Sequence, residues 1–407
     1  MSAFALRARY LLPVTAQPMA GGVVTIADGR IVAVGENTSG KPPIDLGDVA
    51  LLPGLVNCHS HLEFSDLATP LGRPGMSMPD WIRCVLAARS ERTQASSAAI
   101  ARGIDESLEC GTTLIGEIAT SDWTPGPFAA SPLDANVYFE LMALSAERQQ
   151  MQIEYACTQI RSDVFADSSA RLSAGVSPHA PYTASLDMVR EAALLGPTAM
   201  HVAESQEELE LLACRSGPFR DLLSQRGLWR VDSFATSRRP LEYLHALAIA
   251  PRTLVIHGNY LDHEELAFLA ARRATMSLVY CPRTHHFFAH EAYPLAVALN
   301  QGVRVALGTD SRASNPDLSL LAEMRFVARE FNHLDPKIIL AMGTIAGAEA
   351  LGRDDACGSI EVGKQADLVA VNLGCGQESP EELLLAHDGG ISSVWVRGEL
   401  VRCSADL

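Results

Sequence analysis

The fold is decided by Pro53-Gly-Leu-Val-Asn-Cys-His59-Ser-His61-Leu-Glu63, an apolar run that ends in two histidines separated by one residue. On a β-strand, residues i and i+2 point to one face, about 7 Å apart along the chain. The two imidazoles can therefore share one metal ion. The alternative is that they are two ordinary surface histidines in a loop. The remaining sequence helps to decide between a metal site and a loop.

Four more segments repeat this arrangement, in which a strand-like apolar run ends in a polar, potentially reactive residue. In a (β/α)8 barrel the C-terminal ends of all strands open onto one face, and that face holds the active site. Any one of these residues could be a satisfied core histidine, but five such segments in strand-end positions make coincidence improbable. The four segments are 172–179, 198–204, 253–259 and 303–311, which end at or contain His179, His201 with Glu204, His257 and Asp310.

Strand-like runs alternate with helical segments through the middle of the chain, which favours a parallel α/β barrel. A doubly wound sheet would fit the alternation as well, but the sequence has no Gly-x-Gly-x-x-Gly phosphate fingerprint. The predicted helices span 97–110, 186–195, 264–273 and 318–331. The predicted barrel strands begin near Leu55, Thr112, Asn136, Leu172, Thr198, Thr253, Thr275 and Arg304.

Both ends of the chain read as short strands separated by glycine-containing turns. They could join in one small β-sandwich module. The predicted organisation is therefore a composite β-module from residues 1–50 and 356–407 around a (β/α)8 TIM-type barrel at 51–355.

Composition limits the classes of partner. The formal net charge is −16, and no local Lys/Arg cluster offsets it, so nucleic acid and anionic membranes are disfavoured. The nine cysteines are dispersed without a Cys-x-x-Cys motif, which is typical of reduced thiols in a cytoplasm. No apolar stretch approaches the roughly 18 residues of a transmembrane helix. We expect a cytoplasmic protein with a small-molecule substrate.

The chain resembles the metal-dependent amidohydrolase superfamily over residues 51–319. The motifs that carry the resemblance occur in the family's order: Pro-Gly-Leu-Val-Asn-x-His-x-His, Ser-Pro-His-x-Pro-Tyr, His-x-Ala-Glu, His-Gly and Gly-Thr-Asp-Ser. Gly358-Ser-Ile-Glu-Val-Gly-Lys is similar to the family's return from barrel to sandwich. Three further stretches resemble the deaminase/chlorohydrolase branch, especially the aminodeoxyfutalosine deaminases: His61-Leu-Glu-Phe-Ser65, Cys281-Pro-Arg-Thr-His-His286 and Glu207-Glu-Leu-Glu-Leu-Leu212.

Three imidazoles and one carboxylate form the predicted metal site: His59, His61, His201 and Asp310. This ligand set suits Zn2+, with Fe2+ as the alternative, and leaves a position open for water. In the superfamily a second metal usually needs a bridging lysine or its equivalent at the end of strand four, where this chain has His179. The resemblance therefore implies one zinc per chain.

The predicted chemistry is hydrolysis by hydroxide from water that the divalent ion has made acidic, with a pKa of about 7. Asp310 would receive the water's proton, His257 would stabilise the developing oxyanion, and Glu204 would serve as the acid/base. Protonation of a ring nitrogen by Glu204 would accompany attack on the adjacent carbon, and ammonia would leave. A surface ion pair for Glu204 and a core position for His257 are the alternatives.

Substrate contacts are predicted for residues near the strand ends. Glu63 keeps the strand parity of His61 if the strand continues, and could accept hydrogen bonds from a vicinal diol, or it is a solvated loop carboxylate. His179 and Tyr182 could contact the base or sugar, or only pack the loop. For an anionic or polar substrate end the candidates are Arg283 with His285, with Arg73 or Arg83 as other possible guanidinium groups.

The leading hypothesis is a zinc-dependent aminohydrolase of an adenine-type nucleoside. The first choice is 6-amino-6-deoxyfutalosine, which would place the protein in menaquinone biosynthesis; adenosine, methylthioadenosine and S-adenosylhomocysteine follow. Thr284-His285 stands where relatives commonly have Ser-Asn, which leaves the substrate open. Hydrolysis of an aryl chloride, amide or guanidine bond is a second enzymatic reading, and a catalytically silent scaffold is a third. A homodimer is expected by analogy only.

Overall fold

The computed structural model describes residues 3–92, 96–165, 171–234 and 236–403 of the chain. Strands and helices are numbered separately in chain order. The strands are β1 (Phe4–Arg7), β2 (Tyr10–Leu11), β3 (Met19–Ala20), β4 (Val23–Ala27), β5 (Arg30–Val34), β6 (Ile44–Asp45), β7 (Val49–Pro53), β8 (Leu55–Ser60), β9 (Thr112–Ala119), β10 (Asp134–Leu141), β11 (Leu172–Pro178), β12 (Thr198–Val202), β13 (Thr253–His257), β14 (Met276–Tyr280), β15 (Val305–Leu307), β16 (Leu368–Asn372), β17 (Ile391–Val396) and β18 (Glu399–Cys403).

The helices are α1 (Met78–Glu91), α2 (Ser96–Glu109), α3 (Gly126–Ala129), α4 (Ala146–Ile160), α5 (Leu186–Ala193), α6 (Gln206–Cys214), α7 (Pro218–Gln225), α8 (Pro240–Leu247), α9 (His263–Ala270), α10 (Pro282–Phe287), α11 (Leu295–Gln301), α12 (Leu320–Glu330), α13 (Pro336–Met342), α14 (Ile345–Leu351) and α15 (Pro380–Ala386). The four predicted helices correspond to α2, α5, α9 and α12.

Strands β8 to β15 form one eight-stranded sheet in sequence order, and every neighbouring pair is parallel. The last strand returns to the first through a parallel bridge between Ser60 and Asp310, where the Asp310 N–H donates to the His59 carbonyl at 3.0 Å. The predicted (β/α)8 barrel is thereby confirmed, and its strands begin within two residues of the predicted positions.

The barrel strands are apolar on both faces, as parallel strands covered by helices must be. All residues of β12 and β13 are buried, and each of these strands is an apolar run that ends with or next to a histidine. The surrounding helices turn one apolar stripe inward. In α5, for example, Leu186, Val189 and Ala193 are buried, and the Ser185 side chain caps the first turn by accepting from the Met188 N–H.

The remaining strands form a four-stranded sheet, β5-β4-β1-β6, and a six-stranded sheet, β18-β17-β16-β7-β2-β3. Buried side chains from both sheets share one core, which includes Leu6, Ile26, Leu51, Leu368 and Trp395. The two chain ends therefore build a common sandwich, as predicted.

The chain passes from sandwich to barrel at Gly54. Strand β7 pairs antiparallel with β16, whereas β8 starts two residues after β7 ends, so the predicted division at residue 50 lies inside β7. A side chain at position 54 would collide with Thr113, because a Cβ there would lie 2.1 Å from its Oγ1. Glycine permits this close passage.

Helix α15 lies within the C-terminal segment and packs against the barrel helix α12. The buried Arg325 of α12 donates to the carbonyls of Leu384 and Gly389. None of the helices in the described part of the chain has the length and hydrophobicity that crossing a bilayer requires.

Candidate active site

Five strand ends bring the predicted reactive residues together at one end of the barrel. The imidazole centroids of His59 and His61 lie 4.8 Å apart, and those of His59 and His201 lie 5.0 Å apart. Potential ligand atoms of these three histidines all lie within 4.8 Å of one another. His257 adds a fourth ring, 5.4 Å from that of His201.

The hydrogen-bonding state of the three histidines fits a metal ion. Neither ring nitrogen of His59 has a hydrogen-bond partner among the described residues, although both are buried, and the same holds for Nδ1 of His61. In His201, Nδ1 lies 2.8 Å from the His179 carbonyl. That contact makes Nδ1 the protonated nitrogen and leaves Nε2 to bind a metal, a common outer-shell arrangement for ligating histidines.

Asp310 lies beside the three histidines, and these four candidate ligands are together called the ligand cluster. Its Oδ1 lies 3.4 Å from Nε2 of His59 and 3.7 Å from Nε2 of His61, while its Oδ2 accepts the Ser314 hydroxyl at 2.8 Å. Burial lowers the pKa of all three histidines, so they are neutral and able to coordinate. Three neutral imidazoles and one carboxylate suit a divalent ion of the zinc type.

Buried polar side chains hold the strands that carry these ligands. The Asn57 side chain joins the first and last barrel strands, because its amide donates to the Thr309 hydroxyl and its oxygen accepts from the Thr309 and His59 N–H groups. Glu117, from β9, accepts the Ser60 hydroxyl at 2.8 Å and the Leu62 N–H at 3.2 Å. The two ligand-bearing ends are thus tied together by direct bonds.

Backbone conformation turns several strand ends toward the site. Ala203, His257 and Asp310 have φ angles of +53°, +64° and +57°, a region that non-glycine residues seldom occupy. Such conformations cost about 1–3 kcal/mol each and persist where surrounding structure enforces them. For His257, the Tyr293 hydroxyl supplies part of that enforcement by donating to its carbonyl at 2.9 Å.

Glu204 and His257 form a polar pair beside the ligand cluster. Glu204 Oε1 lies 3.3 Å from His257 Nε2. The backbone of Glu204 is fixed from two sides, because the Asn259 amide donates to its carbonyl at 2.8 Å and Glu208 accepts its N–H at 3.5 Å. Burial, followed by the nearby Asp310 and Glu208 charges, raises the pKa of Glu204 well above its usual range. This shift favours the protonated form of Glu204, the form that can act as an acid.

A cavity of about 240 Å3 opens above this cluster. Its polar end is formed by three members of the ligand cluster and four further residues: His61, His201, Asp310, Glu204, His257, His179 and Tyr182. The His179 and Tyr182 rings meet edge to face with centroids 5.6 Å apart. Both were predicted as substrate contacts, and both line the cavity.

The apolar walls of the cavity come from two helices that the sequence analysis did not assign. Helix α1 contributes Trp81, Ile82 and Val85, and helix α7 contributes Phe219 and Leu222. The spacing of apolar residues at 78, 81, 82, 85 and 86 after a Ser77 cap is a helical signal that could have identified α1. These walls make an apolar slot, which suits the faces of an aromatic ring.

Glu63 does not line this cavity. A short 3-10 helix, Leu62–Phe64, follows His61 and ends the strand parity on which the prediction depended. The Glu63 carboxylate turns to Arg89, at 2.5 Å, and to Arg92, at 3.2 Å. Glu63 instead lines a neighbouring, more polar cavity, and its role as the acceptor of a substrate diol stays a prediction.

Arg283 and His285 are also directed away from the cavity. The Arg283 guanidinium binds Glu323 and Asp317, at 2.6 Å each, because Cys281 is followed at once by helix α10. The His285 ring packs among Tyr280, Tyr293 and His290. The alternatives Arg73 and Arg83 are absent from the walls of this cavity as well.

Fold and site together define a class of protein: a parallel (β/α)8 barrel with a sandwich from both chain ends, which gathers histidines and an aspartate able to hold a divalent ion. The chain belongs to the amidohydrolase family, whose model matches residues 50–401.

One relative in sequence and two solved structures are similar to this chain. A 5-methylthioadenosine/S-adenosylhomocysteine deaminase of Teredinibacter turnerae is 28% identical over 388 residues, which cover 89% of this chain and 82% of the relative. The crystal structure of Helicobacter pylori aminofutalosine deaminase with methylthio-coformycin has a TM-score of 0.84 at 24% identity and covers 98% of this chain and 100% of that one. An adenosine deaminase from Xanthomonas campestris with bound zinc has a TM-score of 0.78 at 26% identity, with 98% and 92% covered.

Proposed function

We propose that this protein is a zinc-dependent aminohydrolase that removes the amino group of an adenine-type nucleoside by hydrolysis. The relatives that support the reaction are named as deaminases of adenosine-type nucleosides, and one was solved with zinc. One zinc per chain is proposed, with Fe2+ as the alternative.

The observation that carries the proposal is the pairing of Glu204 with His257 directly beside the ligand cluster. A buried carboxyl group with a raised pKa, next to a neutral imidazole, can deliver a proton to a ring nitrogen of the substrate. Burial lowers the pKa of His257, so this imidazole is a neutral hydrogen-bonding group and does not compete as a charged acid.

In the proposed reaction, a divalent ion held by His59, His61, His201 and Asp310 would supply water with a pKa near neutrality. Asp310 receives the proton of that water on Oδ1, the oxygen that faces the histidines, while Ser314 holds Oδ2 in place. Glu204 protonates the ring nitrogen next to the carbon under attack, and His257 hydrogen-bonds the oxygen that adds there. Asp310 then passes its proton to the exocyclic amine, the carbon–nitrogen bond breaks as the added oxygen becomes a carbonyl, and ammonia leaves. The proton that remained on that oxygen restores the Glu204 carboxyl group.

The proposed first substrate is 6-amino-6-deoxyfutalosine, on the strength of the motif resemblance in His61-Leu-Glu-Phe-Ser65 and Cys281-Pro-Arg283. Deamination of this compound would place the protein in menaquinone biosynthesis. The second candidates are methylthioadenosine and S-adenosylhomocysteine, for which the Teredinibacter turnerae relative is named.

The test is ammonia release by zinc-loaded protein from adenosine, methylthioadenosine, S-adenosylhomocysteine and aminodeoxyfutalosine, with cytosine, guanine and an aryl chloride beside them. We expect turnover of the adenine compounds only. Turnover of the chloride or of cytosine alone, or none with metal bound, would contradict the proposal.

A further inference from the structure

A second, more polar cavity of about 630 Å3 adjoins the active-site cavity. The two share Arg89, Glu140 and Met142 as wall residues, so they meet along this boundary. Helix α4 forms part of the outer wall through Arg148 and Gln152. A substrate whose ring lies in the apolar slot therefore has a polar space beside it.

Several charged residues of this second cavity already have partners. Arg89 and Arg92 both bind Glu63, and their positive charges compensate the buried Glu63 carboxylate. Asp122 accepts the Thr120 hydroxyl at 2.9 Å; although burial opposes it, hydrogen bonds from Thr120 and Ser96 together with the Arg92 charge lower the pKa of Asp122. These groups stabilise the wall through contacts with one another.

Glu140 is different, because its carboxylate has no hydrogen-bond donor among the described residues. Only 7% of its side chain is exposed, Nε2 of His179 lies 3.9 Å from its Oε1, and the charges of Arg89 and Glu63 act on it without a hydrogen bond. A buried carboxyl group without a donor is costly, so an external donor is the expected partner. Glu140 lies at the end of β10, on the boundary between the two cavities.

Arg148 is the complementary group at the outer side. Its side chain is exposed on the first turn of α4, and in the described part of the chain no carboxylate forms an ion pair with it. Arginine binds carboxylates through two parallel N–H groups. The cavity thus offers an acceptor at its inner end and an anion-binding donor at its outer end.

We propose that the second cavity binds the sugar-side end of the substrate, with Glu140 accepting hydrogen bonds from sugar hydroxyls and Arg148 binding a carboxylate beyond the sugar. This inference rests on the proposed deamination of an adenine-type nucleoside. It assigns to Glu140 the diol recognition that the sequence had suggested for Glu63, and to Arg148 the anion recognition suggested for Arg283.

The experiment compares kcat/KM for three nucleosides that differ beyond the sugar: neutral 5′-deoxyadenosine, S-adenosylhomocysteine with an amino-acid carboxylate, and aminodeoxyfutalosine with a benzoate. The variants are Arg148→Gln and the matched control Arg161→Gln, an exposed arginine at the other end of the same helix. We expect Arg148→Gln to lower kcat/KM about tenfold for at least one carboxylated compound, through KM, and to leave 5′-deoxyadenosine unchanged. The compound that loses more identifies the source of the carboxylate.

Glu140→Gln should raise KM for all three nucleosides while kcat falls far less, because each compound carries the sugar. Equal losses for neutral and carboxylated compounds in Arg148→Gln, or the same losses in Arg161→Gln, would overturn the anion site. An unchanged KM in Glu140→Gln would overturn the hydroxyl site.

Calorimetric binding of the same compounds to each variant separates this inference from the proposed reaction. If no compound is deaminated, the reaction is wrong, yet carboxylate-dependent binding that Arg148→Gln weakens would still support the cavity's role. If the nucleosides are deaminated and Arg148→Gln binds all of them like the unmodified protein, the cavity assignment fails and the reaction stands.

Discussion

Replacement of Glu204 by glutamine is the sharpest test of the catalytic arrangement. The change keeps the size of the side chain, the amide oxygen can face His257 as Oε1 does now, and the backbone contacts through Asn259 and Glu208 are unaffected. What is lost is a proton that can be donated and regained. The variant therefore separates proton transfer from packing.

The expected loss follows from the position of Glu204. Proton transfer by a positioned side chain contributes about 10²–10⁴-fold to rate, which is roughly 3–5 kcal/mol of barrier at 1.36 kcal/mol per tenfold. Because Glu204 lies outside the histidine cluster, metal content should stay at one ion per chain. Removing a buried ionisable group leaves no uncompensated charge, so the midpoint of thermal unfolding should not fall by more than a few degrees.

The assay is steady-state ammonia release with metal analysis of the same samples. Glu210→Gln is the control, since Glu210 lies exposed on α6, six residues further on. A Glu204→Gln protein with kcat within a few-fold of the original would refute the role of Glu204 as the acid. Loss of metal in this variant would show that the carboxylate acts on the ligand cluster instead.

Three further predictions concern the metal, the strand closure and stability. Chelation should abolish turnover and lower the midpoint of thermal unfolding, and zinc should restore both. At 100 times its Kd, zinc should add about 2.7 kcal/mol to the unfolding free energy. In His201→Ala, added zinc should restore neither turnover nor stability. Asn57→Ala should lower the unfolding free energy by roughly 2–4 kcal/mol and weaken zinc binding, because it leaves the Thr309 N–H and hydroxyl without their partner. Unchanged zinc affinity in metal titrations would argue against a role of the Asn57–Thr309 hydrogen bonds in holding the metal site. Burial raises the pKa of Asp367 to about 7, so the folded protein retains a proton that the unfolded chain releases near pH 4. The unfolding free energy should therefore fall as the pH rises from about 4 to 7, by up to about 4 kcal/mol. Asp367→Asn should flatten that dependence in denaturant titrations, and an equally steep slope would count against it.

The barrel and the ligand cluster were predictable because they depend on local patterns with one geometric consequence. An apolar run that ends in a histidine or aspartate marks a buried parallel strand, and closure of the barrel brings all such ends to one face. The distance in sequence between His59 and Asp310 is then immaterial. Their contact follows from barrel topology alone, through the bridge that closes the sheet.

The substrate contacts were not predictable in the same way, because they lie where strands have ended. The parity argument for Glu63 required a strand, and the chain forms a 3-10 turn there instead. The proximity of Arg283 to a strand end suggested a role at the site, but a buried Glu323 on α12 binds its guanidinium. Side-chain direction after the last strand residue depends on tertiary partners, which sequence spacing does not encode.

Glu140 is a further polar residue at the end of an apolar barrel strand. Glu140 is the next-to-last residue of β10, the same kind of position that identified His201 and His257. In the sequence, the apolar residues before it include Tyr138 and Phe139, and no motif marks Glu140 itself. Its burial between two cavities is visible only in the structure. In the proposed reaction the strand ends of the barrel carry the chemistry, while residues of α1, α4 and α7 line the two cavities. Substitutions in those helices should change which nucleoside is preferred and leave zinc binding intact, since none of them carries a residue of the ligand cluster.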